Sequence, residues 1–213
     1  MIDLESNKTK FIELIMSIER GFDKEKLINK LLSSDFFTAP ASTKYHLCVE
    51  GGLCQHSLDV YNNLRRLADC TGFSIKNPGC EDTLKIVALL HDFSKINTYK
   101  LGYRNVKVYS ESGNKEDALG RFSWVSERVY EYVDDSERFI YRSHEDNSEY
   151  MTGCFIPLTL EESVAIKHHH GAFTVEGDTQ KRSLHTVFDK YPLAVLLHTA
   201  DMLSTYIDEA KNQ

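Results

Sequence analysis

The feature of this sequence that most constrains its fold is a histidine–aspartate pair placed directly after its most apolar segment. Residues 86–90 read Ile-Val-Ala-Leu-Leu, and His91 and Asp92 follow. The apolar spacing predicts a buried helix here, with Asp82 as its N-cap. A buried carboxylate is costly unless a partner compensates its charge, and a divalent cation is one of the few partners that can. Because adjacent residues of a helix do not face the same way, we expect the helix to end at this pair, so that both side chains turn toward one ion.

Three further segments place the same ligand types on predicted helices with apolar faces. They are His56, the run of histidines at 168–170, and Asp201 with His198 one turn before it. Taken singly, a buried histidine is more often a hydrogen-bonded core residue, and a buried aspartate is more often a helix cap or half of an ion pair. Four such segments in one chain favour a metal site. Imidazole and carboxylate ligands suit Zn, Fe, Mn, Ni or Co rather than calcium.

The composition argues against several classes of protein. A length of 213 residues with 41% hydrophobic residues fits one globular domain with a sizeable core. No apolar run reaches the ~20 residues of a membrane span, and the polar N-terminal residues do not resemble a secretory signal. Five cysteines without a Cys-x-x-Cys pair indicate reduced thiols, and hence a cytoplasmic protein. A net charge of −7 argues against a non-specific grip on long nucleic acid, but a small anionic substrate stays open because a metal site can invert the local charge.

Periodicity predicts a mostly α-helical chain with one small β-containing insert over residues 99–142. Alternation in segments 106–109 and 122–125 predicts strands there, and Trp124 with the nearby tyrosines is expected to form the core of the insert rather than a base-stacking platform. Residues 35–46 are expected to be an ordered loop, and His185 to lie in an exposed polar loop. The predicted helices span residues 10–20, 23–33, 51–72, 82–90, 144–153, 159–170 and 192–210.

The order of the candidate ligands resembles the signature of the HD superfamily of metal-dependent phosphohydrolases. Some of the sequence segments around these residues are similar to the motif helices of that superfamily. Others are similar to a narrower group, the small stand-alone HD hydrolases of bacteria and phages that are related to the HD domain of certain 3′-to-5′ exoribonucleases. The resemblance covers roughly residues 24–207. The segments similar to the superfamily are EGGLCQHSLDVY (50–61), ALLHDFSK (88–95) and LLHTADMLSTY (196–206). The segments similar to the narrower group are DFFTAPASTKYH (35–46) and FIPLTLEESVAIKHHHG (155–171).

The resemblance implies two sets of metal ligands, for one or two divalent ions. Asp92 belongs to the first set and would bridge if two ions bind. Dinuclear members add histidines between the HD pair and the last aspartate, and three histidines occupy those places here. The first set is His56, His91, Asp92 and Asp201; the second is His144, His169 and His170.

The resemblance also implies roles for residues beside the metal. Lys95, one turn after Asp92, matches a family lysine expected to face the phosphate of the substrate, so these two residues are the catalytic candidates. His46 lies at a position that the family also favours, and both substrate contact and a structural hydrogen bond stay open for it. His198 is expected to support a ligand or to pack rather than to bind the metal.

One segment departs from the narrower group. After the counterpart of His144 that group usually reads Gly-Glu-Lys-Ser, whereas this chain reads Glu145-Asp146-Asn147-Ser148. A lysine that would meet substrate is replaced, and two acidic residues are present instead. The departure puts the usual substrate contacts of the group, and the role of His144, in question.

The function implied by the resemblance is hydrolysis of a phosphoester by metal-activated water. A nucleotide or short oligonucleotide is the expected substrate, because the net charge and the lack of a recognisable nucleic-acid module make long nucleic acid and membranes unlikely partners. Three alternatives stay open: a 3′-end nuclease, by resemblance to the exoribonuclease HD domain; a non-catalytic HD module that binds a nucleotide or a partner protein; and an oxygenase of the dinuclear iron type. The expected organisation is a single HD domain over 1–213, with N-terminal helices over 1–34, a core over 35–98 and 143–210, and the 99–142 insert as a specificity element or lid.

Overall fold

The computed structural model describes residues 2–174 and 177–212 of the chain, and these residues are mostly α-helical. Three short turns of 3-10 helix and one π-helical turn, at Ser204–Asp208, join or extend the helices. The helices are α1 (Leu4–Met16), α2 (Lys24–Leu32), α3 (Gly52–Cys70), α4 (Phe73–Lys76), α5 (Glu81–Leu90), α6 (His144–Gly153), α7 (Leu160–Lys167), α8 (Asp178–Lys190) and α9 (Pro192–Leu203).

The helical body is organised around α3, which lies against both α5 and α9. Glycines make its start possible, since Gly51 has a φ of +78° and a Cβ on Gly52 would lie 2.1 Å from the Leu47 carbonyl oxygen. The loop over 38–52 can therefore fold tightly onto the first turn of α3. The core around α3 is built from buried apolar residues of several helices, among them Phe11, Leu27, Leu53, Leu64, Leu89, Leu90 and Leu197.

The insert is a long antiparallel hairpin with a short third strand. Strands β1 (Tyr99–Tyr109) and β3 (Gly120–Tyr132) pair without interruption, from Tyr99 opposite Tyr132 to Tyr109 opposite Phe122. Strand β2 (Lys115–Asp117) pairs with the other edge of β3 near the tip, so the strand order is β1-β3-β2. Residues 133–143 then return to the helical body.

Several predicted elements differ from the structure. Helix α1 begins six residues before the predicted start, because the Asp3 carboxylate caps it by accepting from the Ser6 amide, and it ends at Met16. Asp82 is not an N-cap; α5 begins one residue earlier, and the Asp82 carboxylate accepts instead from the Glu19 and Arg20 amides. The last helix ends at Leu203 and not at the predicted residue 210. The backbone continues from Ser204 as the π-helical turn.

Two local predictions are wrong. His185 lies on helix α8 and not in a loop, although it is exposed, and it pairs there with Asp189. Trp124 does not form a core of the insert, because it is 48% exposed and a single small sheet without a covering layer cannot bury it. Phe122 is the one large side chain described in the insert that is buried.

Candidate metal centre

The ends of several helices deliver the predicted ligands to one place. Helix α3 carries His56, while α5 ends at Leu90, so His91 and Asp92 follow it into a 3-10 turn at Phe93–Lys95. The helix therefore ends at the histidine–aspartate pair, as the sequence predicts. Helix α6 begins with His144, the histidine run follows α7, and Asp201 lies in the last turn of α9.

Asp92 lies at the centre of the cluster and is 2% exposed. Its Oδ1 lies 2.5 Å from Nε2 of His144 and 3.5 Å from Nε2 of His169. These two histidines belong to the second predicted set, and they approach from α6 and from the end of α7. One oxygen of the carboxylate thus faces the second set.

The other oxygen of Asp92 faces the first set. Oδ2 lies 2.6 Å from the Lys95 ammonium, 3.5 Å from Nε2 of His91 and 3.7 Å from Nε2 of His56. Asp201 joins this side, with Oδ1 3.2 Å from Nε2 of His56. The two oxygens of Asp92 therefore lie between the two predicted ligand sets.

Backbone hydrogen bonds fix the tautomers of two of the histidines. Nδ1 of His91 lies 2.8 Å from the Ala88 carbonyl oxygen, and Nδ1 of His169 lies 2.6 Å from that of Ile166. Because a carbonyl oxygen only accepts, each Nδ1 carries the hydrogen and donates it. When the rings of His91 and His169 are neutral, their Nε2 atoms therefore carry no hydrogen, and each directs a lone pair toward the carboxylates.

A proton or a metal ion would stabilise this convergence of ring nitrogens. Nε2 of His91 lies 3.2 Å from Nε2 of His56. Nε2 of His169 is buried, and none of the described residues gives it a hydrogen bond. Buried acceptors directed at one another repel unless a proton or a metal ion lies between them. The cluster is thus built for a positive charge that the side chains alone supply only in part.

Burial and neighbouring charges shift the pKa values of the cluster in opposite directions. Burial would lower the pKa of His56, but the Glu209 and Asp201 carboxylates outweigh it and raise that pKa to about 10. Burial lowers the pKa of His91 to about 3, so this ring is neutral at pH 7. Burial would raise the pKa of Asp92, but Lys95 and the neighbouring histidines hold it well below its usual range.

Further side chains hold the histidines from outside. His56 donates from Nδ1 to Oε1 of Glu209 at 2.7 Å, and Nδ1 of His170 lies 2.6 Å from Oε1 of Glu145. The Ser94 hydroxyl lies 2.7 Å from Nδ1 of His144. A carboxylate or hydroxyl on the second ring nitrogen orients a histidine and raises its basicity as a ligand. The same arrangement accompanies histidine ligands in metal sites generally.

Four overlapping groups of described residues have ligand atoms within 4.8 Å of one another and could hold a metal ion. All the predicted ligands fall in these groups, and Asp92 is shared by two of them. The donor set of imidazoles and carboxylates fits a transition metal better than calcium. The groups are Asp92 with His144, His169 and His170; His56 with His91 and Asp92; His91 with His169 and Asp201; and His46 with His56 and Glu209.

The predicted residues outside the ligand sets also lie at the cluster. The ring of His46 is 4.8 Å from that of His56, and its buried Nε2 has no hydrogen-bond partner among the described residues. Burial and the charge on His56 lower the pKa of His46 to about 3. His198 donates from Nδ1 to the His169 carbonyl oxygen at 2.7 Å, so it supports the histidine run as expected.

The segment that departs from the narrower group has roles in the structure. Glu145 is buried on His170, and Asp146 pairs with Lys167 on α7 at 2.8 Å. The Asn147 side-chain oxygen accepts from two backbone amides of the preceding loop, those of residues 141 and 142. The changed residues therefore hold the site together, and they leave His144 against Asp92.

Sequence reasoning missed Glu209, which is 2% exposed. The residue lies beyond α9, where the predicted pattern of a single amphipathic helix assigns no role to it. The Asn63 side chain donates to Ser204 and to Asp208, both at 2.9 Å, and so holds this segment against α3. A buried polar pair on two helices leaves little signal in one sequence.

Two cavities open onto the cluster and share Tyr45, His46, Lys95 and His170. The larger, of about 580 Å³, extends toward the base of the hairpin and is called the Tyr99 cavity below. The other, of about 440 Å³, reaches Asp92 and Asp201 and is called the Phe173 cavity. Both are of the size of small-molecule sites.

No protein-family model, curated protein or solved structure gives a significant match to this chain. None of the helices in the described ranges is both long and apolar enough to cross a membrane.

Proposed function

We propose that this protein is a metal-dependent phosphohydrolase of the HD type that cleaves a phosphoester of a nucleotide or short oligonucleotide. The observation that carries the proposal is Asp92, whose two oxygens face two different groups of histidine Nε2 atoms. A carboxylate in that position is suited to bridge two ions. The sequence words around the ligands and their placement on helix ends support the HD assignment.

The roles of the residues follow from their positions. When bound, a divalent ion would lower the pKa of a coordinated water from 15.7 toward about 7 and supply hydroxide at neutral pH. His56, His91, Asp92 and Asp201 would hold one ion, and Asp92, His144, His169 and His170 a second. These side chains are already oriented by the hydrogen bonds on their outer nitrogens, so they need little reorganisation.

Lys95 is the candidate for contact with the phosphoryl group. Its ammonium lines both cavities and lies 2.6 Å from Asp92. Burial would lower the pKa of Lys95, but Asp92 outweighs it and raises the pKa above its usual range, so the side chain stays cationic. A fixed cation beside the nucleophile stabilises the charge that develops on phosphoryl oxygens.

The Tyr99 cavity favours an anionic organic substrate. The described residues that line the Tyr99 cavity include Lys95, Arg138 and Arg142 but no carboxylate. The lining of this cavity therefore presents cations only, in a chain whose net charge is −7, although Lys95 and Arg138 are each paired with an aspartate behind the wall. Aromatic residues at the same wall offer surfaces for a base, as a nucleotide requires.

The first experiment is elemental mass spectrometry on protein purified without a histidine tag, for the wild type and Asp92→Ala. Near two transition-metal ions per chain in the wild type, and fewer in the variant, are the expected results. The metal found is then used to screen nucleoside monophosphates, cyclic nucleotides and labelled oligonucleotides for hydrolysis, with and without oxygen. Bound metal without turnover would favour the non-catalytic module, and oxygen-dependent turnover the oxygenase. Absence of metal even after Mn²⁺ or Ni²⁺ is added would overturn the proposal.

A further inference from the structure

The two faces of the hairpin have different chemistry. Directly opposed residues of an antiparallel pair share a face, so the register assigns every side chain to one side. One face, called the aromatic face, carries seven aromatic residues together with Lys107 and Arg128. The other carries four valines, two cations and two glutamates. The aromatic face consists of Tyr99, Leu101, Tyr103, Asn105, Lys107, Tyr109, Phe122, Trp124, Ser126, Arg128, Tyr130 and Tyr132.

Much of the aromatic face is open to solvent. Tyr103 is 71% exposed, Tyr132 55%, Trp124 48% and Tyr109 43%. Near the tip, Phe122 lies edge-on to Trp124, with ring centroids 5.7 Å apart, and the Lys107 ammonium lies 4.4 Å from the Phe122 ring. These aromatic rings are exposed, lie next to cations and belong to an insert that lacks a core. Such a surface indicates an interaction site.

The aromatic face is continuous with the candidate metal centre. The rings of Tyr99 and Tyr132 lie 5.3 Å apart at the base of the hairpin and both line the Tyr99 cavity. The Arg138 guanidinium lies 5.1 Å from the Tyr132 ring in the same cavity. At about 3.3 Å per residue, Tyr103 lies about 13 Å up the strand from Tyr99, and the Trp124 level about 13 Å farther.

We propose that the aromatic face binds single-stranded nucleic acid by stacking its bases on Tyr103, Trp124 and their neighbours, with one end of the strand entering the Tyr99 cavity. Aromatic rings beside backbone-tracking cations are the elements of single-strand binding. The wall of the Tyr99 cavity at the base of the hairpin has no carboxylate among its described residues. It therefore suits the phosphate of a nucleic acid better than it suits a second copy of this acidic chain. Binding to the face stands by itself, whereas hydrolysis of the entering end rests on the proposed function.

The charges limit how the strand is held. Lys107 pairs with Asp117 at 2.5 Å, and Arg138 is bonded to Asp135 at 2.5 Å, so neither cation is uncompensated. Stacking must therefore supply much of the affinity. Even if Lys95, Arg128, Arg138 and Arg142 all met phosphates, the slope of log K against log salt would be no steeper than about −3.

The chain contains its own reporter, because Trp124 is its single tryptophan. The test titrates the protein as purified with a 12-residue oligothymidylate, following quenching of tryptophan fluorescence. Anisotropy of the same oligonucleotide carrying a 5′ fluorophore follows binding by the variants, and a denaturing gel verifies that the probe stays intact. Saturable quenching is the expected result.

Matched variants on the two faces assign the binding. Tyr103→Val keeps a strand-forming residue but removes a ring, and it is expected to raise Kd at least about fivefold. Val125→Thr, on the opposite face, is expected to leave Kd within about twofold. The emission maximum of Trp124 without oligonucleotide shows whether each hairpin is intact.

Three results would overturn the inference. One is unchanged fluorescence at oligonucleotide concentrations up to about 10⁻⁴ M, where even non-specific binding is seen. Another is equal weakening by the two variants. The third is concentration-dependent self-association in sedimentation that Tyr103→Val abolishes, which would assign the face to a second copy. Oligonucleotide binding without hydrolysis of any nucleotide or oligonucleotide would refute the proposed function alone, and hydrolysis of nucleotides without oligonucleotide binding would refute the aromatic-face inference alone.

Discussion

The histidine cluster and the hairpin are neighbours that are stabilised in opposite ways. In the cluster, His56, His91 and His169 are buried, and each has its outer nitrogen fixed by a carboxylate or a carbonyl. In the hairpin, the strands hold each other through their own ladder, and most side chains face solvent. The cluster depends on long-range contacts, whereas the hairpin depends on cross-strand pairs.

The difference shows which region tolerates change. A substitution in the cluster leaves a buried polar group without a partner, which costs stability and ligand geometry together. A substitution on the hairpin alters an exposed surface and leaves the helical body intact. Selection can therefore vary the surface of the hairpin while the histidine cluster at its base stays the same.

The largest effect is expected at the centre of the cluster. Asp92→Asn removes the charge between the two ligand sets, and we expect hydrolysis to fall by a factor on the order of 10³ or more. The measurement is turnover of the best substrate from the nucleotide screen, at fixed metal concentration. Asp189→Asn makes the same change at the exposed pair with His185 and should leave turnover unchanged. Equal losses in both variants would contradict a special role for Asp92.

A buried ion pair in the helical body gives the next effect. Arg20 binds both oxygens of Glu162, which also accepts from the Thr83 hydroxyl and is fully buried. Arg20→Ala leaves that carboxylate unpaired, and the free energy of unfolding at pH 7 is expected to fall by about 3 kcal/mol. Urea titrations measure it. Arg65→Ala breaks an exposed pair with Glu81 and should cost no more than about 1 kcal/mol.

The effect of Arg20→Ala should depend on pH in a defined direction. Burial would raise the pKa of Glu162, but Arg20 and the other donors outweigh it and lower that pKa below its ordinary 4.5. The pair therefore stabilises the folded state fully above pH 4.5 and loses that contribution as pH falls through the folded pKa. The difference between wild type and variant should shrink below pH 4.5. A difference that grows on acidification would refute the assigned pair.

A smaller effect is expected where Glu209 orients His56. Glu209→Ala should weaken metal affinity about 10- to 100-fold, because a carboxylate on the outer nitrogen sets the direction and basicity of the ligand. Glu209→Gln keeps a hydrogen-bond acceptor and should lose less. Competition with a chromogenic chelator measures both. Unchanged affinity in Glu209→Ala would show that His56 needs no support from the last segment.

The smallest effect is expected on the hairpin. Val108→Thr, at a position 42% exposed, should change the free energy of unfolding by no more than about 0.5 kcal/mol. Leu64→Ala in the core beneath α3 is expected to cost about 2–5 kcal/mol. The two urea titrations together test the separation of the regions. A cost for Val108→Thr close to that of Leu64→Ala would show that the hairpin is part of the core.

The sequence predicts several helices and picks out the residues of the histidine cluster, because both leave local signals, but it misses helix α8. Apolar spacing locates α3 and α5. The end of α5 before His91 is predicted because the adjacent side chains of His91 and Asp92 can face one ion only outside a helix. The position of the Glu209 carboxylate depends on a π-helical turn and on Asn63, which no local pattern predicts. Trp124 was assigned to a core because alternation alone does not tell whether a second layer covers a strand.

Glu209 also sets the time at which the centre is complete during synthesis. His56 and Glu209 are 153 residues apart, so at about 5–20 residues per second a ribosome makes the second roughly 8–30 s after the first. Throughout that interval the nascent chain holds the first histidine without the carboxylate that orients it. The candidate metal centre can therefore reach its final geometry only after that interval.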